Sequence, residues 1–355
     1  MDDQVDIDTI ITVKEKVLDN QDLFDHDHDP NRKFICKPYE YLNDLPSNNN
    51  NIRAKFIEIF AELFFGESYS TNCTGVVNEI ITKLHISSLL IDDIEDNSKY
   101  RRGFPAAHVK YGKPSTINCA NRMYFEAMEI AYSDLRQIHS RKPDYTQRCL
   151  SLHQAFVLEM INLHNGQGLD IYWRDFLPEL EELPTIEEYL SMVQNKTGGL
   201  FRLSVKLLDV FSFKCLEQKQ LDKVLTIANL AGIIYQVRDD YLNLVDARYS
   251  TMKGIAGEDL LEGKLSLPIL FNLRNEEEPE KSPVHKILYD FRSLKLRSKQ
   301  KDLLQKAVSY LHERGSMSQT YLLLRNLKIK FHALLEEVGF GDSELYKLIE
   351  RLCDV

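Results

Sequence analysis

The chain has 355 residues, of which 43% are apolar, so it can bury a sizeable core in one large domain or two ordinary ones. Glycine (15) and proline (11) are sparse, which argues against long irregular regions. The formal net charge of −10 argues against a nucleic-acid partner, so an anionic substrate would have to be held locally by a few cations or by a metal ion.

The six cysteines are dispersed and form no CxxC pair, so zinc and redox motifs are unsupported. Scattered cysteines suit a reducing compartment. The acidic first residues do not resemble a signal peptide, and no stretch approaches the roughly 18 apolar residues of a membrane span. The sequence therefore predicts a cytoplasmic protein without a transmembrane segment.

Residues 1–33 are polar and acidic and are predicted to form a mobile N-terminal arm. The arm contains His26–Asp29, which could bind a metal ion, but a solvated tail is the better interpretation. Residues 34–355 are predicted to form a single all-α domain, because apolar residues recur at spacings of three and four from Ile52 onward. Sustained alternation of apolar and polar residues is not evident.

Prolines and glycines indicate where these helices begin and end. Pro114 and Pro184 mark two helix starts. The loop Glu276–Pro283 is the only plausible domain boundary in the helical pattern, and the segment after it is predicted to form supporting helices.

The first cluster of acidic residues, Asp92-Asp93-Ile94-Glu95-Asp96, directly follows the apolar run HISSLLI. If that run is helical, Asp92 and Asp96 lie one turn apart on the same face. Asp93 then lies about 100° round the helix from Asp92.

The second cluster, Asp239-Asp240-Tyr241-Leu242-Asn243, follows the run LAGIIYQVR and is predicted to lie within a helix. Asp239 and Asn243 repeat the spacing of four residues. Gln236 lies three residues before Asp239 on nearly the same face, so it can reach the same ligand.

Carboxylates at the ends of apolar runs need a partner, because buried unpaired charge is costly and like charges one turn apart repel. A divalent cation removes both penalties. The ligands are hard oxygens with no cysteine or histidine among them, which favours Mg²⁺. The alternative is that the two clusters are acidic helix ends exposed to solvent. This alternative explains one cluster alone better than it explains the presence of both.

Several cations lie near these clusters in the sequence. Arg101 and Arg102 follow the first cluster, and arginine binds diphosphate through bidentate hydrogen bonds, although such a pair alone is more often a surface charge. Lys196-Thr197-Gly198-Gly199, Lys253 and Lys264 are individually weak signals. The KTGG segment is not a Walker loop, because the preceding glycine-rich loop and strand are missing.

A family resemblance rests on the motifs DDIEDN followed by RRG, HNGQGLDIYWRD, NKTGGLFRL, YQVRDDYLN and EGKLSLP. Together they resemble the trans-prenyl-diphosphate synthases, and among these the fungal-type geranylgeranyl diphosphate synthases. The resemblance runs from about Lys37 to Pro268. It implies an all-α isoprenoid-synthase bundle around a deep central cavity, isoprenoid diphosphates as small-molecule substrates, and a homodimer or higher homo-oligomer.

The resemblance also implies roles for individual residues. Three Mg²⁺ ions would bind with the allylic diphosphate, and their protein ligands would be Asp92, Asp96 and Asp239. The other implied catalytic residues are Asp93, Asp240, Lys196 and Lys264. The residues implied to hold the allylic substrate are Arg101, Lys196, Thr197, Gln236, Asn243, Lys253 and Lys264. Those implied to hold isopentenyl diphosphate are Arg53, His85 and Arg102.

The chain departs from the family pattern at three places. Asn50 stands where the family usually has a lysine, three residues before the position of Arg53, so weaker isopentenyl diphosphate binding is expected. The segment Lys253–Asp259 is one residue longer than usual, which makes the position of Lys253 less secure. Asn243 replaces the last aspartate of the second motif, as is common in the eukaryotic branch.

The implied reaction needs no side-chain nucleophile. Diphosphate leaves the allylic carbon, the double bond of isopentenyl diphosphate attacks the resulting cation, and proton loss to the departing diphosphate gives a chain five carbons longer. An apolar cavity would exclude water from the cation.

Cavity depth would then set product length. Ser87 and Ser88 lie one turn before the first cluster and are too small to block the growing chain. Tyr124, Phe125 and His164 match the family's cavity floor, although ordinary core packing is an alternative for all three. The sequence therefore predicts a C20 product, geranylgeranyl diphosphate.

Other functions remain open from the sequence alone. A sister enzyme would make farnesyl or longer chains. Terpene cyclases share the first motif but usually lack this second motif with its lysines. A catalytically silent regulatory subunit of a synthase would typically lose one aspartate motif, and both are present here.

Overall fold

The computed structural model describes residues 31–46, 52–66, 71–245 and 257–355. These residues contain seventeen α-helices. In chain order they are α1 (Arg32–Ile35), α2 (Lys37–Asp44), α3 (Ile52–Phe60), α4 (Thr71–Glu95), α5 (Ala107–Tyr111), α6 (Lys113–His139), α7 (Tyr145–Asp175), α8 (Ile186–Lys196), α9 (Gly198–Phe211), α10 (Gln218–Val245), α11 (Glu258–Glu262), α12 (Leu267–Arg274), α13 (Pro283–Tyr289), α14 (Leu294–Arg297), α15 (Lys301–Glu313), α16 (Ser316–Glu337) and α17 (Glu344–Cys353).

Short elements complete the described structure. A π-helical turn, Ala61–Phe65, extends α3, and 3₁₀ turns lie at Leu177–Glu179 and Pro279–Lys281. Strands β1 (Tyr100–Arg101) and β2 (Phe104–Pro105) pair antiparallel in one small hairpin. The all-α fold predicted from the sequence is confirmed, and this hairpin is a feature that the helical pattern did not predict.

The two predicted helix starts are confirmed, and their causes are local. α6 begins with Pro114 in its first turn, after Gly112 with φ of 83°, which a residue with a side chain rarely adopts. α8 begins with a capping box, in which the Thr185 hydroxyl accepts from the Glu188 amide at 3.1 Å and the Glu188 carboxylate accepts from the Thr185 amide at 2.7 Å.

α10 is the central helix of the fold. It buries five consecutive residues, Leu230 to Ile234, which cover all sides of the helix, as in a helix enclosed by others. It packs against α8, α9, α16 and α17, while α4 packs against α6 and α9. The two aspartate clusters are therefore carried by long helices that are fixed by their neighbours.

The helices after Glu276–Pro283 share the main hydrophobic core with the helices before it. Leu311, Leu324 and Phe331 are fully buried in the same cluster as Ile81 of α4. The loop itself is anchored by Glu276, whose carboxylate accepts from the Tyr310 hydroxyl at 2.8 Å.

Most of the predicted arm, residues 1–30, lies outside the described residues. α1 begins at Arg32, two residues before the predicted boundary, and the boundaries of arm and domain stay predictions. Within the described parts of the chain, no helix combines the length and the apolar character needed to cross a membrane.

Candidate active site

Both aspartate clusters lie at the C-terminal ends of long helices. Asp92 and Asp93 occupy the last turn of α4, and Asp96 follows it with its amide bonded to the Asp92 carbonyl at 2.8 Å. Asp239 and Asp240 lie in the last two turns of α10. Carboxylates at the negative end of a helix dipole are disfavoured by about 0.3–1 kcal/mol when exposed, so both clusters need compensating positive charge.

In the first cluster, one arginine holds two of the carboxylates. Arg101 Nε donates to Asp93 Oδ1 at 2.8 Å, and Arg101 Nη2 lies 3.1 Å from Asp92 Oδ2. Burial opposes the charge on Arg101, but attraction to Asp93 and Asp92 raises its pKa above the ordinary value. Asp92 also accepts from the Gln167 amide at 3.1 Å.

Asp96 is neutralised from two other directions. Lys264 Nζ lies 2.7 Å from Asp96 Oδ2 and 2.8 Å from Glu262 Oε2, and Arg174 donates to the second oxygen of Asp96. Burial nevertheless raises the pKa of Asp96 to about 7, with Lys264 acting in the opposite direction. The carboxylate is therefore in a site where further positive charge is favourable.

Lys196 reaches this site from the junction of α8 and α9. Its ammonium lies 2.6 Å from Asp170 Oδ2. Burial lowers the pKa of Lys196, but attraction to Asp170 outweighs it, and Lys264, Asp92 and Asp96 also act on this pKa. Two of the three lysines predicted to hold an allylic diphosphate, Lys196 and Lys264, are thus brought together beside the first cluster.

The second cluster is built around Asp240. Its carboxylate accepts from the Leu267 amide and the Gln236 side-chain amide, each at 2.8 Å, and from the Tyr189 hydroxyl. Burial raises the pKa of Asp240 to about 6, against these hydrogen bonds. Thr197 donates to Gln236 at 2.7 Å, so a single chain of hydrogen bonds runs from the α8–α9 junction to Asp240.

The end of this cluster is tied to the next helix. The Asn243 side-chain oxygen accepts from the Asp259 amide at 3.1 Å, in the first turn of α11. Asn243 is buried, and its substrate contact stays a prediction. Asp239 is half-buried beside Tyr235, whose pKa is raised by burial and by Asp239.

The three residues predicted to hold isopentenyl diphosphate lie close enough to interact. Burial lowers the pKa of Arg53 to about 10, and Arg102 repels it further. Burial, then Arg53 and Arg102, lower the pKa of His85 well below its ordinary value. Within the described residues, the buried Arg53 Nε has no hydrogen-bond partner, which marks a donor suited to an anionic ligand.

The backbone at Arg102 is unusual. Its φ is 56°, in the left-handed region, within the turn of the β1–β2 hairpin. The guanidinium donates to the carbonyls of Leu42 at 3.3 Å and Leu45 at 3.1 Å. The hairpin therefore links α2 to the end of α4, which carries the first cluster.

The residues predicted to set product length lie in different environments. Ser87 is fully buried and donates to the Lys83 carbonyl, while Ser88 is half-buried and donates to the His85 carbonyl.

Tyr124 and His164 contact each other edge to face, with ring centroids 6.0 Å apart. Burial, then Glu95 and Asp92, raise the pKa of Tyr124, so this ring lies near the first cluster. Phe125 differs, because it is 74% exposed on the surface of α6.

The donors present fit a hard divalent cation, because the carboxylates of both clusters supply only oxygen. Among residues 31–46, 52–66, 71–245 and 257–355, no three or more His, Cys, Asp or Glu side chains lie close enough to form a metal site by themselves. Lys253 and Asn50 lie outside the described residues.

Several residues of the site were not predicted from the sequence. Gln167, Asp170 and Arg174 lie in the HNGQGLDIYWRD motif, and their helical spacing of three or four residues could have indicated a common face. Tyr189 and Glu262 had no such signal, because only tertiary packing brings them to Asp240 and Lys264.

Comparison with known proteins agrees with this geometry. Residues 32–310 match the profile of the Polyprenyl synthetase family. The chain is 42% identical to a geranylgeranyl pyrophosphate synthase of Eremothecium gossypii over 90% of its own length and 93% of the relative. It is 37% identical to the geranylgeranyl pyrophosphate synthase cle6 of Aspergillus versicolor over 90% of its length and 76% of that relative. These matches, together with the paired aspartate clusters, show that the chain belongs to the polyprenyl synthetase family.

Proposed function

We propose that this chain is a Mg²⁺-dependent prenyltransferase that makes geranylgeranyl diphosphate, releasing diphosphate. Its substrates are isopentenyl diphosphate and allylic diphosphates up to farnesyl diphosphate. One observation carries the proposal: the carboxylates of Asp92, Asp93 and Asp96 share a buried site with Arg101, Lys196 and Lys264. Relatives at 37–42% identity that are named geranylgeranyl pyrophosphate synthases support the product.

When bound, Mg²⁺ supplies charge stabilisation for a departing diphosphate. Asp92, Asp96 and Asp239 would hold it. Lys196 and Lys264 orient the allylic diphosphate and stabilise its developing negative charge, since both side chains are half-buried beside the first cluster.

Arg53, His85 and Arg102 hold the second substrate, isopentenyl diphosphate. The unpartnered Nε of Arg53 supports this role, as does the lowered pKa of His85, which lets a neutral imidazole donate to phosphate. The released proton goes to the departing diphosphate, so no side-chain base is required.

The C20 product is supported by the side chains on α4 that precede Asp92. Ser87 and Ser88 leave room for a chain that aromatic residues at these positions would block. Tyr124 contacts His164 and lies near Asp92 and Glu95, which supports a role for this pair in closing the cavity.

A homodimer through α7 completes the proposal. Leu150, Leu158, Ile161 and Tyr172 are each at least 50% exposed and fall on one face of this helix. An apolar face of this length is typical of a subunit interface. Sedimentation equilibrium should give a dimer for the wild type and a monomer for Leu158→Asp with Ile161→Asp, while Leu322→Asp on the exposed side of α16 leaves the dimer intact.

A cytoplasmic location is part of the proposal. All six cysteines are free, and four of them are buried, as suits a reducing compartment.

One assay tests the function directly. The purified protein is incubated with Mg²⁺, isopentenyl diphosphate and farnesyl diphosphate, and the dephosphorylated products are separated by chain length. A C20 alcohol that disappears with a chelator and with Asp239→Asn supports the proposal. Products longer than C20 would indicate a longer-chain synthase, and a C15 product from geranyl diphosphate that is not extended further would indicate a farnesyl synthase. No product alone but stimulation of an active synthase would indicate a regulatory subunit.

A further inference from the structure

Arg297 is a buried cation in α14, far along the chain from the aspartate clusters. Its side chain is almost fully enclosed, and burial lowers its pKa to about 10. Its three hydrogen bonds go to main-chain carbonyls, those of Leu261 at 2.7 Å, Glu262 at 2.5 Å and Phe291 at 2.9 Å. Burying a charge without a paired carboxylate is costly, so a residue of this kind needs a reason beyond packing.

Two of the three carbonyls close the last turn of α11, where the helix dipole is negative. The next residue, Gly263, has φ of 82° and lies flat against the guanidinium. A β-carbon at Gly263 would come within 2.6 Å of Arg297 Nη2. The amides of Gly263 and Lys264 both bond to the Asp259 carbonyl at 2.8 Å, so the chain turns sharply here and leads into Lys264.

This turn places Lys264 at the reacting centre. Its ammonium lies 2.7 Å from Asp96 Oδ2 and 2.8 Å from Glu262 Oε2. The same Glu262 carboxylate accepts from the Ser98 hydroxyl at 3.1 Å, just beyond the first cluster. Arg297 donates to the Glu262 carbonyl, so it fixes the backbone that carries both Glu262 and Lys264.

We propose that Arg297 is a positioning residue for Lys264, which it holds against Asp96 and the allylic diphosphate without touching either. The inference rests on the proposed function for the role of Lys264. It gives the helices after Glu276–Pro283 a part in substrate binding, although they carry no aspartate motif.

A double-mutant cycle tests the inference. Arg297→Lys keeps the positive charge but cannot reach three carbonyls, and Lys264→Ala removes the group to be positioned. The affinity for inorganic diphosphate with Mg²⁺ is measured by titration calorimetry, and kcat and KM for farnesyl diphosphate by turnover. In the wild-type background, Arg297→Lys should weaken diphosphate binding and kcat/KM by about tenfold or more, the range seen when a supporting hydrogen bond is lost.

In the Lys264→Ala background, Arg297→Lys should cost less than about twofold, because the positioned group is already gone. An equal loss in both backgrounds would show that Arg297 supports only the fold, and no loss in the wild-type background would also overturn the inference. Calorimetry gives this answer even where turnover is too slow to measure.

Controls separate local from global effects. Arg292 lies in the same segment and forms an exposed ion pair with Glu179 at 2.7 Å. Arg292→Lys should therefore leave both measurements unchanged. If Arg297→Lys does not fold, as judged by circular dichroism, Arg297→Gln, whose shorter side chain also cannot reach all three carbonyls, should show the same dependence on Lys264. A wild-type protein that makes no product would refute the proposed function, whereas an active one with equal losses refutes only this inference.

Discussion

A β-carbon placed on Gly166 would come within 2.3 Å of the backbone nitrogen of Lys196. Only a residue without a side chain lets α7 approach the end of α8 this closely. Asp170, one turn after Gly166 on the same helix, then meets the Lys196 ammonium at 2.6 Å. Gly166, the first glycine of the HNGQG motif, therefore helps to place the lysine that we propose binds the allylic substrate.

Gly166→Ala should lower both the activity and the free energy of unfolding, and the loss of activity should exceed what the loss of stability explains. The methyl group must push α8 away, which costs about 1–3 kcal/mol of unfolding free energy and moves Lys196 from its place. Kinetic assays with farnesyl diphosphate and denaturant unfolding measure the two effects. Gly168→Ala is the matched control, because a β-carbon at Gly168 meets nothing within 4 Å. Equal activity of the two variants would contradict the role of the close approach.

The sequence predicted much of this site because its signals are local. The spacing of Asp92 and Asp96, and of Asp239 and Asn243, follows from helical geometry that the structure bears out. Which cation meets which carboxylate does not follow from spacing. Lys264 reaches Asp96 across 168 positions in the chain, through packing that no periodic pattern encodes.

The hairpin between α4 and α5 illustrates another limit of prediction from the sequence. Its strands have two residues each, too few for an alternating pattern to be recognised. Arg102 adopts a positive φ there without being a glycine or asparagine, so the sequence carries no turn signal at that residue.

Tyr189→Phe should weaken the second cluster. It removes the hydroxyl that donates to the buried Asp240 carboxylate, and a lost hydrogen bond to a charged group costs about 1.5–3 kcal/mol. We expect a lower free energy of unfolding together with a lower kcat. Tyr132→Phe is the control, because the Tyr132 hydroxyl makes an exposed contact with His153. A Tyr189→Phe enzyme with unchanged stability would show that the contact contributes nothing.

Tyr124→Ala with His164→Ala should lengthen the product. The two rings contact each other near the first cluster, so truncating both deepens the cavity beneath the allylic site. Products longer than C20 should appear by chromatography. Phe125→Ala provides the comparison, because its ring is 74% exposed on the surface of α6. An unchanged product from the double variant would rule out Tyr124 and His164 as the floor of the cavity.

Asn50→Lys should strengthen isopentenyl diphosphate binding. It restores the cation that the family usually has three residues before Arg53, and an added phosphate contact should lower KM for this substrate. KM for farnesyl diphosphate should stay the same. Asn48→Lys adds the same charge two positions earlier and serves as the control. An unchanged KM for isopentenyl diphosphate in Asn50→Lys would show that the site is already complete.

Stability should depend on acid through Glu159 on α7. Its carboxylate is buried and meets Arg202 Nη2 at 2.6 Å and Lys206 Nζ at 2.5 Å. Burial raises the pKa of Glu159, but these two partners outweigh burial and hold the pKa below its ordinary value of 4.5. The unfolded chain therefore takes up this proton first as the pH falls, so the stabilisation is complete above pH 4.5 and is lost below it.

Glu159→Gln should lower the unfolding free energy at pH 7 by about 1.5–3 kcal/mol, because two half-buried cations lose their anion. Urea unfolding of both proteins should give a constant difference from pH 7 to about pH 5. The difference should then shrink as the pH falls below 4.5, where Glu159 is protonated first in the unfolded chain and then, at lower pH, in the folded protein. Glu179→Gln, in the exposed pair with Arg292, should cost less than about 1 kcal/mol. A difference for Glu159→Gln that stays constant into the acid range would mean that Arg202 and Lys206 do not stabilise the charged form.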